Sequence, residues 1–196
     1  MLVVDEVLDC FENVAAAKGT NAKKVLLKEC LKNLYFSTLL SYTFNPYRSF
    51  HVVKVPKTKK SDRKPIKPRE AWKAFILNAD KCSKREVTGN TAIELMQKTF
   101  MQSSEAQERW MRKVLKKNLA IGVSTKTLNK VQPNFIPTFD VALAQKFDMK
   151  RIESSEVFIE PKLDGIRCLA IVENREAKLF TRAGKLITNF DDTVGK

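Results

Sequence analysis

A chain of 196 residues with 43% hydrophobic side chains is long enough to fill one medium domain, or a helical domain joined to a piece of another, and too apolar to be disordered. Its formal charge of +14 is concentrated: Lys54 to Arg69 holds eight basic residues against Asp62, Arg109 to Lys130 holds seven against none, and the remainder is neutral on balance. Charge localised in this way points to a polyanion, nucleic acid first, because neutralised phosphates release condensed counterions on binding; the plainer alternative for either segment alone is a solvated charge run.

From the start to about Leu119 the periodicity is helical. Val4, Val7, Leu8, Phe11 and Val14/Ala15 recur at three- and four-residue spacing, Gly19 is expected to stop that helix, and Thr20 to cap a second in which Val25, Leu26, Cys30, Leu34 and Tyr35 line one face. Between Pro46 and Pro68 prolines and lysines break the pattern, which predicts a basic loop with a short strand at Phe50 to Val55. Trp72, Phe75 and Ile76 resume a stripe, and Ala92, Leu95, Met96 and Phe100 form another, begun through Thr88-Gly89-Asn90.

The clearest helix is predicted from Glu105 to Leu119. Ser104 with Gln107 makes a capping-box pair, Glu105 and Glu108 sit at the positive end of the macrodipole, and Lys116 and Lys117 at the negative end. Trp110, Met111, Val114, Leu115 and Leu119 fall on one side, and Arg109, Arg112, Lys113, Lys116 and Lys117 on the other, so this helix reads as core on one face and a cationic rail on the other. A glycine turn at Gly122 then leads into a short helix capped by Ser124 or Thr125, with Lys126 and Lys130 on it. These four residues join the rail as candidate phosphate contacts, although many helix starts of this kind meet only water.

Past Gln132 the texture changes: Pro133, Pro137 and the stretch through Asp140 read as a linker. From Val157 the period is two, giving Val157 to Glu160, Gly165 to Glu173, Ala177 to Arg182 and Lys185 to Thr188 as an antiparallel meander with turns at 174–176 and 183–184. The fold class is α+β. The organisation expected is a helical basic part over 1–131 with its loop at 54–69, a linker over 132–150, and a β part over 151–196.

The four cysteines are widely spaced, with no Cys-x-x-Cys pair, and His51 is the single histidine, which argues against a zinc site or a histidine triad. The acidic start, with Asp5, Glu6, Asp9 and Glu12, is the reverse of a signal peptide, and no run approaches a membrane span; a reducing, cytoplasmic setting follows.

Lys162-Leu163-Asp164-Gly165-Ile166-Arg167 is the string that carries chemistry. A lysine amine attacks phosphorus only when unprotonated, and an ordinary amine titrates roughly three units above neutral, so its site must lower that value through neighbouring cations and partial burial. Arg167 and Arg182 are candidates for the cations; Gly165 permits close approach of a ligand, and Asp164 sets a carboxylate beside the nucleophile. The plain alternative is an Asp-Gly turn between strands flanked by surface charge.

Glu160-Pro161-Lys162-Leu163-Asp164-Gly165-Ile166-Arg167, followed one hairpin later by Thr181-Arg182-Ala183-Gly184, resembles the first two motifs of ATP-dependent DNA ligases. The upstream stretches Val87 to Glu94, Arg112 to Val114, Ile121 to Ser124, Asn129 to Val131 and Val141 to Ala144 resemble the ligases of T-even-like bacteriophages. The resemblance implies that Lys162 takes AMP from ATP with release of pyrophosphate, passes it to the 5′-phosphate of a nick, and that the 3′-hydroxyl then displaces it, with magnesium required. It further implies that Glu160 faces the adenine amino group, Arg167 lies near the ribose and nick, Arg182 holds the nick 5′-phosphate and Asp164 arranges the hydroxyl. The helical part would be a DNA-binding domain gripping nicked duplex with little sequence preference, and the β part the beginning of the adenylation domain. The family's remaining motifs cannot fit in the eight residues after Thr188, and a short meander cannot enclose a nucleotide; the expectation is an incomplete adenylation domain, inactive alone, in a monomer completed by a C-terminal polypeptide, within a bacterial host's cytoplasm if phage-encoded. Two other readings stand beside it: a DNA-binding module with a silent Lys162, and another lysine nucleotidyltransferase of RNA-ligase or capping type.

Overall fold

A computed structural model describes residues 5–52, 54–139, 161, 164–173, 176–182 and 184–187. The chain divides into two compact units, Met1–Pro137 and Thr138–Lys196. The described residues of the first unit form seven helices: α1 (Glu6–Ala16), α2 (Thr20–Cys30), α3 (Leu34–Phe44), α4 (Pro68–Ser83), α5 (Gly89–Met101), α6 (Glu105–Leu115) and α7 (Thr125–Val131), with one 3-10 turn at Lys60–Asp62.

Phe11 of α1 is the centre of the core. Its ring lies 4.8 Å from Phe36 of α3, 6.1 Å from Trp72 of α4 and 4.8 Å from Trp110 of α6, stacked on the last. Four helices thus meet on one buried ring, with Leu39, Leu40, Phe75, Met96, Phe100 and Met111 packed around them at zero exposure. The indole N–H groups would be orphaned in such a core, and acidic side chains of α1 and its cap accept them: Trp72 Nε1 donates to Asp5 Oδ1 at 2.9 Å and Trp110 Nε1 to Glu12 Oε1 at 2.8 Å. Asp5 also caps α1, accepting from the Leu8 amide at 3.1 Å, and takes the Gln107 side-chain amide at 2.7 Å. Replacing Asp5 with alanine therefore removes a cap, leaves the buried Trp72 indole donor unmet and takes one of two acceptors from the Gln107 amide, which keeps Pro68 O. We expect a loss of roughly 3 kcal/mol, measured as a shift of the urea midpoint, and a loss under about 1 kcal/mol would contradict this hub.

Several expectations are corrected. Gly19, at φ +83°, is the N-cap of α2 with no side-chain bond, and Thr20 is the first helical residue; α1 ends earlier, at Ala17 in extended conformation. The stripe through Val25 and Leu34 does not continue, because the chain breaks at Leu31-Lys32-Asn33 and the Asn33 side chain accepts from the Tyr35 and Phe36 amides to start α3. Val25 and Leu34 consequently face out, Leu34 at 74% exposure, while Leu27, Cys30 and Phe36 face in. No strand occurs in the described part of 50–55; Phe50, Val52 and Val55 bury their side chains in the core from an irregular segment. α6 stops at Leu115 rather than 119, closed by the Lys117 amide donating to Val114 O and the Asn118 amide to Lys113 O, a turn that holds Lys117 at φ +54°.

In the second unit, β1 (Cys168–Glu173), β2 (Glu176–Thr181) and β3 (Leu186–Ile187) form an antiparallel sheet in the order β1-β2-β3. The register pairs Cys168 with Thr181 and Glu173 with Glu176, then Leu179 with Ile187. Gly184, at φ +76°, closes the second turn by donating to Thr181 O at 2.8 Å. Leu179 is buried, and Phe180 stacks on Phe139 at 6.2 Å. The order of the meander is as the alternation predicts, but β1 begins at Cys168 rather than Gly165, and β2 runs from Glu176 to Thr181 so that Arg182 falls in the turn; Thr188 and the strand expected at Val157 to Glu160 lie outside the described residues.

Candidate functional site

The rail proposed on α6 is only partly a solvent face. Arg112, 22% exposed, donates through Nε to Glu108 Oε1 at 2.7 Å and through its terminal nitrogens to Val55 O at 2.7 Å and Pro56 O at 2.6 Å, with its guanidinium 4.5 Å above the Phe100 ring. Lys117 donates to the backbone carbonyls of Asn45 and Arg48. Both are therefore anchors of the irregular 45–56 segment, which crosses the face that the helical wheel assigns to water. Lys113 lays its ammonium 3.9 Å from the Trp110 ring centre. Arg109 remains largely exposed but is paired with Glu12. Lys116 is exposed at the end of the helix, as are Lys126 and Lys130 on α7. Ser124 caps α7 by accepting from the Thr127 amide at 3.2 Å, and Thr125 is the first, half-buried, residue of that helix.

The basic segment itself is fixed in place. The Lys64 amide donates to Met101 O at 2.8 Å and the Ile66 amide to Gln102 O at 3.0 Å, which ties it to the end of α5. Arg63 donates to Ser103 O at 3.1 Å and to Glu108 Oε2 at 2.5 Å. Glu108, with its side chain only 6% exposed, is thus bound by two arginines; burial alone would raise its pKa, and the Arg112 and Arg63 hydrogen bonds outweigh that and hold it below the usual carboxylate range. With Arg63 and Arg112 turned inward, Lys57, Lys59, Lys60, Lys64 and Lys67 are left exposed along a held ridge. A charged pair at the other side of the same segment, Arg48 and Asp80 at 2.5 Å, lowers the Asp80 carboxyl to about 2.

Sequence reasoning missed Lys23. From α2 its ammonium donates to Ile121 O, and it lies where a side chain at Gly122 would begin: a Cβ there would meet Lys23 Nζ at 2.7 Å. Gly122 is at φ +62°, so the turn before α7 favours glycine for its backbone, whereas the flexible lysine tip could move aside for a Cβ. Nothing local in the sequence links residues so far apart.

Of the lysine motif, Lys162, Leu163 and Glu160 lie outside the described residues. Asp164, Gly165, Ile166 and Arg167 are exposed and lead directly into β1. Arg182 is exposed and leaves β2 directly. Arg167 and Arg182 each sit one residue beyond the Cys168–Thr181 pair, which is the last pair of the β1–β2 ladder. Among the described residues no group of three or more His, Cys, Asp or Glu could hold a metal ion, and no helix is long and apolar enough to cross a membrane.

No family model matches the chain. It is 26% identical over 195 residues to the DNA ligases of Enterobacteria phages T4 and T6, an alignment that takes in 94% of this chain and 39% of each relative. The chain therefore spans well under half the length of the curated relatives it matches. Among solved structures, it is similar to one named "Pmar-Lig_PreS3", with a TM-score of 0.77 and 26% identity over 96% of this chain and 44% of that one. A second, named "Pmar-Lig_Pre.", gives 0.73 and 28% over 94% and 43%. Over nearly all of its length, then, this chain resembles the DNA ligases of bacteriophages T4 and T6.

Proposed function

We propose that this chain grips nicked duplex DNA and carries the nucleophile of an ATP-dependent DNA ligase. The observation that supports the reading is the Lys-x-Asp-Gly-x-Arg string leading into β1, together with a second arginine, Arg182, that follows the β2 residue paired with Cys168. In the first step the Lys162 amine nitrogen bonds to the α-phosphorus of ATP, the bond from that phosphorus to the pyrophosphate oxygen breaks, and the surplus ammonium proton leaves to solvent. Arg167 and Arg182 raise the positive potential there, which favours the neutral amine and offsets charge growing on phosphoryl oxygens. The 5′-phosphate of the nick then takes AMP from Lys162, and the 3′-hydroxyl displaces AMP to seal the strand. Glu160 reads the adenine amino group, Asp164 arranges the hydroxyl, and Arg182 holds the 5′-phosphate.

Magnesium fits this arrangement as a companion of the triphosphate, since it is commonly held by substrate phosphates and one or two carboxylates, of which Asp164 is one on offer. In this reading the protein acts as a monomer, and the rest of the adenylation domain comes from the same polypeptide or from a complementing C-terminal one. Bacterial cytoplasm is its setting, and replication, repair and recombination are the uses of the reaction. The adenylation domain occupies the chain from about residue 151, after a linker over 132–150.

The helical unit binds phosphates without reading bases. Its contacts are the exposed Lys116, Lys126 and Lys130, with Arg109 and Lys113 beside them and the ridge at 57–67. Duplex affinity should fall steeply with salt, at a log-log slope on the order of −4 to −8, as for about five to nine neutralised phosphates. Changing Lys116, Lys126 and Lys130 together to alanine should flatten that slope by about three while leaving the urea midpoint in place, since all three side chains are exposed. A wild-type slope near zero would sink the reading. For the chemistry, the direct test is radiolabel transfer from α-labelled ATP with magnesium, to the chain alone and mixed with the polypeptide encoded downstream. Label only in the mixture supports the ligase. No label in either favours a DNA-binding module whose lysine is silent.

A further inference from the structure

A cleft of about 550 Å³ lies between the basic segment and the start of α6, lined by Lys57, Thr58, Arg63, Glu108, Arg109 and Arg112 together with Glu105 and Ala106. Two buried side-chain polar atoms among the described residues lack a hydrogen-bond partner, Arg63 Nε and Thr58 Oγ1, and both residues line this cleft. The Thr58 hydroxyl is near enough to Glu108 to help keep it ionised but does not reach hydrogen-bond geometry. Native proteins leave few buried donors unmet, and such a group calls for something from outside the chain. Water could meet a donor. Charge favours an anion: Lys57, Arg63, Arg109 and Arg112 line the cleft against Glu105 and Glu108, and with Glu12 paired to Arg109 the balance is still one positive charge. Arg63 has its two terminal nitrogens engaged, so its Nε is the donor left over, while exposed Lys57 is free to move toward a guest.

We propose that this cleft seats one phosphate group, with Arg63 Nε and the Thr58 hydroxyl as directional donors and Lys57 as the mobile charge. The inference deepens the DNA-binding reading by adding a fixed anchor away from α7. The phosphate could belong to a duplex backbone or to a free polyphosphate, and the two arms of one experiment separate these sources.

Tripolyphosphate is titrated into the full 196-residue chain by calorimetry, then again after saturation with nicked duplex. The variants are Thr58→Val, which keeps the shape and removes the hydroxyl, and Lys57→Met, alone and combined; Lys28→Ala, at an exposed lysine of α2, is the control outside the cleft. The combined variant should lose roughly tenfold in tripolyphosphate affinity, with the control unchanged. Displacement by duplex assigns the seat to a backbone phosphate, and persistence of tripolyphosphate binding beside duplex assigns it to a free polyphosphate. No tripolyphosphate binding by the wild type, or equal binding by the combined variant and the wild type, overturns the proposal. Those outcomes leave the salt slope of duplex binding untouched, so the failure of the cleft and the failure of the DNA-binding reading give different results.

Discussion

Glu108→Ala should cost the helical unit about 3–5 kcal/mol, a large part of the stability of any small domain. The carboxylate is nearly fully buried and takes hydrogen bonds from Arg63 and Arg112, which reach it from opposite sides in sequence. Alanine would leave two guanidinium groups inside a low-dielectric region with no counter-charge, and that desolvation sets the magnitude. The damage should spread outward. Arg112 also holds Val55 O and Pro56 O, and Arg63 holds Ser103 O, so loosening them frees the 54–67 ridge, and limited trypsin digestion should begin there. The pH dependence follows from the sign of the shift. The folded Glu108 pKa is lowered, so its contribution is present above the unfolded value of 4.5 and is lost as pH falls below that through the lower folded value; the alanine variant should lack this part of the acid slope. Urea midpoints from pH 3 to pH 7 are the measurement. A loss under about 1 kcal/mol at neutral pH would mean that the two arginines find other partners.

The same cluster shows where sequence alone stops. Glu108 looks like a helix-dipole residue and Arg112 like part of a solvent rail, because a helical wheel separates an apolar side from a polar one but cannot tell water from a loop arriving more than fifty residues away. Local signals serve better: the Ser104–Gln107 capping box is present in both directions, with the Gln107 amide donating to Ser104 Oγ and the Ser104 amide to Gln107 Oε1. They also mislead where two short helices share a period. Val25 and Leu34 fit one stripe on paper, yet the Asn33 cap restarts the helix and turns both toward solvent. In the β part, period two is enough for the hairpins, since register follows from a single pairing. Lys23 beside Gly122 was not legible, because that contact is fixed by how α2 packs on α7 and by nothing in either segment.

Lys162→Met should abolish AMP transfer altogether, in the chain combined with its downstream polypeptide, while leaving duplex binding and its salt slope unchanged. Methionine keeps the length and the apolar stem of lysine but has no nucleophilic nitrogen, so the bond to the α-phosphorus cannot form and no other step follows. Lys162→Arg should fail equally, because guanidinium stays protonated at any usable pH. The neighbouring arginines give a graded control. If Arg167 and Arg182 lower the amine pKa by their charge, the wild-type labelling rate should rise with pH and level off at a pH below the ordinary lysine value of about 10.4, and Arg182→Met should move that plateau to higher pH. A plateau unmoved in the variant, with only its height reduced, would confine Arg182 to gripping phosphate. Strand sealing that survives Lys162→Met in the combined proteins would sink the mechanism, since the covalent AMP has no other seat in the proposed scheme.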